Sequence, residues 1–145
     1  MTTRTGHCLC GAISFTARDM EDTFSTCYCD MCQRWGGGPF RGVSVATENL
    51  EIKDGEHLGT LQTSAFAERA FCKRCGSGIL WRMTGGPYVG KTSLPVGLLD
   101  DRTGLTAASI TFSDLKDHTN LPAEGVEEMD SEAVAKIIKT IEAAL

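Results

Sequence analysis

Short runs of alternating apolar and polar residues, broken by glycine-rich turns, dominate the chain. In Gly11-Ala-Ile-Ser-Phe-Thr-Ala17, Ile13, Phe15 and Ala17 fall on one face and Ser14 and Thr16 on the other, the period of two expected of a half-buried strand. Further strand-like runs cover 41–46, 50–53, 57–63, 68–71, 78–82, 87–91, 94–99 and 108–112. Their spacing predicts a mostly β fold of antiparallel sheets, because no alternation of strands with long helices points to a parallel sheet. A helix is predicted at the C-terminal end. There Val134, Ile137, Ile138, Ile141 and Leu145 recur at three- and four-residue steps, and Asp130 or Ser131 can cap the first turn. Its apolar stripe is expected to close the core. Residues 116–129 are polar, contain Pro122 and Gly125, and read as a surface loop. With no internal repeat, linker or low-complexity stretch, 1–145 reads as a single domain.

Composition narrows the class. The 145 residues carry 14 Lys+Arg against 19 Asp+Glu, a net charge of −5, with 41% hydrophobic and 23% charged content. These values fit a globular chain and exclude a mostly disordered one. An acidic chain without a Lys/Arg-rich cluster is not expected to bind nucleic acid. No window approaches 18 consecutive apolar residues and the first residues lack a signal-peptide apolar region. No membrane partner is expected, and the predicted location is cytoplasmic.

The cysteines carry the chemistry. Seven of them, an odd number, suit metal ligation in a reducing compartment better than a disulfide framework. They fall in three groups: Cys8-Leu-Cys10, Cys27-Tyr-Cys29-Asp-Met-Cys32 and Cys72-Lys-Arg-Cys75. Thiols at i and i+2 of an extended chain share a face. A C-x-x-C pair converges across a tight turn, and Gly11 and Gly76 stand where the backbone must turn after a pair. Thiolate sulfur selects Zn²⁺ or iron–sulfur clusters over hard cations. Seven ligands divide as four plus three, and three protein ligands with one open position is the arrangement of a catalytic zinc. Spacing leaves the division open. A ribbon-like pairing of Cys29 and Cys32 with Cys72 and Cys75 competes with a contiguous Cys27, Cys29, Cys32 site that leaves Cys8 and Cys10 to pair with Cys72 and Cys75. Lys73, Arg74 and Arg34 supply positive charge that favours thiolates.

Three segments, Gly6-His-Cys-Leu-Cys-Gly-Ala-Ile13, Cys27-Tyr-Cys-Asp-Met-Cys-Gln-Arg34 and Arg69-Ala-Phe-Cys-Lys-Arg-Cys-Gly-Ser77, together resemble the glutathione-dependent formaldehyde-activating enzyme family, also called centromere protein V-like. Val96-Gly-Leu-Leu-Asp100 resembles a later family segment, so the resemblance spans about residues 6 to 125. It implies an Mss4-like β-rich zinc fold. It further implies a structural zinc on Cys8, Cys10, Cys72 and Cys75 and a second zinc on Cys27, Cys29 and Cys32, up to two Zn²⁺ per chain, with the second set catalytic. The implied activity is that of a carbon–sulfur lyase, joining glutathione, a small-molecule thiol, to formaldehyde, a small electrophile, as S-hydroxymethylglutathione.

Weaker signals surround the middle cluster. Arg34, Trp35, Gly36 and Gly37 follow it directly and are candidates for a substrate pocket, with Phe40 as a further wall. Arg34, Arg41 and Lys91 are the nearest candidate partners for the carboxylates of glutathione. His7, His57 and His118 are not expected to be ligands. Two classes of function remain: a zinc-dependent thiol enzyme, or a non-catalytic zinc module that binds a thiol ligand or a protein. Closure of the middle site by a fourth protein ligand such as Asp30 would favour the module, and reversible disulfides would favour a redox role.

Overall fold

The computed structural model describes residues 1–120 and 124–144. Among the described residues, ten strands form two sheets. β1 (Thr2–His7), β2 (Ser14–Met20) and β5 (Leu50–Lys53) make a three-stranded antiparallel sheet in the order β1-β2-β5. The other seven are β3 (Thr23–Cys27), β4 (Phe40–Ala46), β6 (Leu58–Ser64), β7 (Ala67–Cys72), β8 (Gly78–Met83), β9 (Lys91–Pro95) and β10 (Thr106–Thr111). They are ordered β10-β3-β4-β9-β8-β7-β6. All pairs in this sheet are antiparallel except β3 with β10, which is parallel, so the fold is mostly antiparallel as expected. α1 (Asp30–Gly36) follows β3, and α2 (Ser131–Glu142) lies near the C-terminal end.

The core joins both sheets. Ile13, just before β2, and Phe15, Ala17 and Met20 of the small sheet pack with Val43, Val45, Ala70, Ile79, Leu80 and Leu94 from the large one. Ile13, Phe15 and Ala17 are buried as the alternation predicts. β1 approaches this core so closely that a Cβ on Gly6 would lie 2.4 Å from both the Leu98 carbonyl oxygen and the Phe15 ring.

Several elements differ from the sequence pattern. β1 and β3 carry few apolar residues and give no period-two signal, yet both are paired strands. The predicted strand at 87–91 is a turn, because Gly86 and Gly90 adopt positive φ of 89° and 102°, and β9 starts only at Lys91. The run at 94–99 is strand only to Pro95 and then turns through a 3-10 helix at Val96–Leu98. α2 forms where predicted, capped by the Asp130 side chain accepting from the Ala133 N–H at 2.9 Å. It does not close the core. Val134, Ile137, Ile138 and Ile141 remain 40–56% exposed, because the two sheets already bury each other's apolar faces. Pro122 and Leu145 lie outside the described residues.

Candidate metal centres and the cavity beside them

The turn after β1 and the β7–β8 turn bring Cys8, Cys10, Cys72 and Cys75 together. In the first, the Cys8 carbonyl accepts the Gly11 N–H at 3.0 Å, and Ile13 donates its N–H to Cys8 Sγ at 3.3 Å. In the second, the Cys72 carbonyl accepts the Gly76 N–H at 2.8 Å. Gly11 and Gly76 have φ of 74° and 79°, the left-handed geometry expected of them beside the cysteine pairs. Ser77 links the two turns, accepting the Leu9 N–H at 3.0 Å while its Oγ lies 3.3 Å from Cys75 Sγ.

Cys8 and Cys72 are buried in the core, Cys75 is half-buried and Cys10 is exposed. Cys8 Sγ lies 3.6 Å from Cys10 Sγ, which lies 3.9 Å from Cys72 Sγ. Four sulfurs placed tetrahedrally about 2.3 Å from Zn²⁺ stand about 3.8 Å apart, so these thiols fit such an ion.

The second group is built by the end of β3 and the start of α1. Cys27 is the last residue of β3, and Cys29 is the N-cap of α1, its Sγ accepting the Cys32 N–H at 3.4 Å. Cys29, and not the adjacent Asp30, caps this seven-residue helix. The sulfurs of Cys27, Cys29 and Cys32 all lie within 4.8 Å of one another and can likewise hold a metal ion. The division into four and three therefore follows contiguity, and the ribbon-like pairing of the two C-x-x-C motifs is not formed.

The thiols of each group differ in proton affinity. Burial, the largest influence, pushes the Cys32 thiol up to about 12 even though Arg69 draws it down. Burial also raises Cys27, but bonds from the Thr111 side chain, the Cys29 backbone and the neighbouring thiols outweigh it and lower Cys27 from its usual value. In the four-thiol group, the Ser77 hydroxyl and backbone bring Cys75 down to about 5. The backbone bond to Ala12 pulls Cys10 down, yet burial and neighbouring thiols push it up to about 11. With only protons to share, one thiolate in a group suppresses ionisation of the next. A bound cation would let all of them ionise together.

A cavity of about 940 Å³ opens beside the three-thiol group. Cys32, Trp35, Gly36, Gly37, Phe40, Arg41, Arg69 and Phe71 are among its walls, and its charged lining residues are both arginines. Of the candidates for a pocket, Trp35, Gly36, Gly37, Phe40 and Arg41 line this cavity. Arg34 does not: it is exposed on the far side of α1, bonded to Asp30 at 2.8 Å through an i,i+4 pair. Asp30 is itself exposed and does not join the three sulfurs. Lys91 pairs with Glu21 at 3.1 Å. His7 contacts the Cys8 carbonyl and Asp100, and His57 contacts Glu56; neither joins a thiol group.

Arg69 was not singled out by sequence. It is 3% exposed, and its Nη2 donates to Cys32 Sγ at 3.4 Å. Its guanidinium carbon lies 5.7 Å from the centre of the Trp35 ring, which packs edge-on against Phe71 with ring centres 6.4 Å apart. The available signal was an arginine set in the otherwise apolar-leaning run Ala67-Glu-Arg-Ala-Phe-Cys72.

Fold and site define a mostly β protein with two cysteine groups of metal-ligand geometry. Residues 3–114 match the family described as glutathione-dependent formaldehyde-activating enzyme, and the chain belongs to that family. A relative from Schizosaccharomyces pombe, named an uncharacterized lyase, is 39% identical over 85 residues, 57% of this chain and 61% of the relative. The matched region thus spans about three-fifths of that relative's length. A solved crystal structure of a Rhodobacter sphaeroides protein has the same fold, with a TM-score of 0.54 at 21% identity, covering 72% of this chain and 99% of that one. No described helix is long and apolar enough to cross a membrane.

Proposed function

We propose that the chain is a zinc-dependent enzyme of the carbon–sulfur lyase type that joins a small thiol, glutathione in the first instance, to formaldehyde. The observation that carries this reading is the three-cysteine group opening onto a cavity whose charged walls are cationic. Cys8, Cys10, Cys72 and Cys75 would hold a structural Zn²⁺, and Cys27, Cys29 and Cys32 a second. At the second site a bound Zn²⁺ supplies positive charge that favours the thiolate form of an incoming thiol.

The protein's own residues do the rest. Trp35, Phe40 and Phe71 give the cavity apolar walls, and Gly36 and Gly37 let a peptide-like substrate approach the backbone. Arg41 faces the same space and suits a carboxylate of glutathione. Holding thiol and aldehyde together there lowers the entropic cost of their meeting. In the reaction, the thiol sulfur bonds to the formaldehyde carbon, the carbonyl π pair moves to oxygen, and the proton released by sulfur ends on that oxygen. Asp30, exposed and paired with Arg34, counts against the alternative of a module whose second site is closed by a fourth ligand.

Exchange NMR on glutathione and formaldehyde tests the proposal. Zinc-loaded protein should accelerate the exchange over buffer, and Cys29→Ser should abolish the acceleration while the fold and about one zinc remain. Full activity in Cys29→Ser would sink the assignment. No acceleration by zinc-loaded wild-type protein would shift it to another substrate or to a binding module.

A further inference from the structure

We infer that Arg69 is the internal counter-ion of the three-cysteine site: a positioning residue that sets how tightly that site, and not the four-cysteine site, holds its metal. The inference rests on the proposed reading of Cys27, Cys29 and Cys32 as metal ligands. Three thiolates around a divalent cation leave one surplus negative charge. Cys27 is half-buried and Cys29 and Cys32 are buried, and charge on the buried pair is costly unless it is paired. The four-cysteine site carries a larger surplus and also has two buried sulfurs, Cys8 and Cys72, but Cys10 is exposed and Cys75 half-buried, so water can screen one side of it.

The counter-ion has to come from the protein, and local sequence does not supply it. Arg34, the basic residue next to the cluster, is committed to Asp30 on the outer face of α1. Arg69 arrives instead from β7. Among the described residues it is the basic side chain that bonds a cysteine sulfur, and it has no carboxylate within ion-pair distance, its neighbour Glu68 being taken by Arg82. Cys32 and Trp35 are three apart on α1, so one helix face presents a sulfur and an aromatic ring to the same guanidinium. That arrangement fixes the plane of the guanidinium and suits arginine over lysine.

The test is a Co²⁺ titration of apoprotein under reducing conditions, followed by sulfur-to-cobalt charge-transfer absorption, with chelator competition to obtain each affinity. Wild-type protein should take two ions. Arg69→Met and Arg69→Gln should bind the first ion as wild type does and the second about 10–100-fold more weakly, the usual loss when a group bonded to a ligand is removed. Arg69→Lys should recover only part of the deficit, because it restores the charge but not the planar fork. Uncharged variants that bind the second ion as tightly as wild type would overturn the inference. So would loss of both ions together in Met and Gln variants, since the effect would then not belong to the three-cysteine site. A wild-type protein that takes one ion would overturn the three-cysteine metal reading, and this inference with it.

Discussion

The four-cysteine group should act as a cross-link, and its contribution to stability can be worked out from the fold. It joins the turn after β1 to the turn between β7 and β8, and 62 residues separate Cys10 from Cys72. Treated as a covalent link, closing a loop of that length removes about 14 cal/mol/K from the unfolded chain, about 4 kcal/mol at 25 °C. The useful perturbation is the double variant Cys10→Ser/Cys75→Ser. It takes one ligand from each turn but leaves the core thiols Cys8 and Cys72 in place, so no cavity opens. For 145 residues the unfolding entropy is about 0.3 kcal/mol/K, and the zinc-loaded double variant should melt about 10–15 °C below wild type by circular dichroism.

Cys29→Ser is the control. The three-cysteine group spans only six residues, a closure worth about 2 kcal/mol by the same relation, and serine keeps the N-cap of α1. Its melting point should fall about half as far. Equal shifts in the two variants, or a double-variant shift under about 3 °C, would refute the division into a stabilising site and a site built for chemistry.

Two further outcomes follow from the fold. The carboxyl of Asp22 is held well below the usual carboxylate range by the Thr2 hydroxyl first, then by the chain's amino terminus and Arg4. A depressed folded pKa gives stability that is present above the unfolded value of about 3.9 and lost as pH falls toward the folded one. The melting point should therefore drop between about pH 5 and pH 3, and Asp22→Asn should flatten that slope; an unchanged slope would contradict the role. Deleting residues 130–145 removes α2, which buries none of its described residues. The melting point should stay within about 2 °C of wild type, as for other surface changes, and a fall above about 5 °C would show that the helix supports the core.

What the sequence revealed followed the range of each signal. β2 was legible because Ile13, Phe15 and Ala17 alternate strictly. β1 was not: Thr2-Thr-Arg-Thr-Gly-His is polar throughout, and it is a strand because β2 offers its edge and because Arg4 finds Asp22 and the carbonyls of Asp101 and Thr103. α2 shows the converse. Its periodicity identified the helix correctly, but an apolar stripe says only that a face can be buried, not that the fold has room for it.

The site divides along the same line. The cysteines and the glycines after them are local features, since a turn that aims two thiols at one ion is written in a few consecutive residues, and they were legible. Arg69 was not, although it stands in the same segment as Cys72 and Cys75. Its side chain does not serve that neighbouring group. From β7 it reaches across to Cys32 and Trp35 of α1, 37 residues earlier in the chain than itself in the case of Cys32. Lys73 and Arg74 were the obvious cations by proximity in sequence, and neither bonds a cysteine sulfur among the described residues. Burial explains the difference. A thiolate at the surface is screened by water wherever its cation lies, whereas one enclosed with Cys29 and Cys32 requires a cation delivered by the tertiary fold. The ligands of a metal site can therefore be local while its charge balance is global.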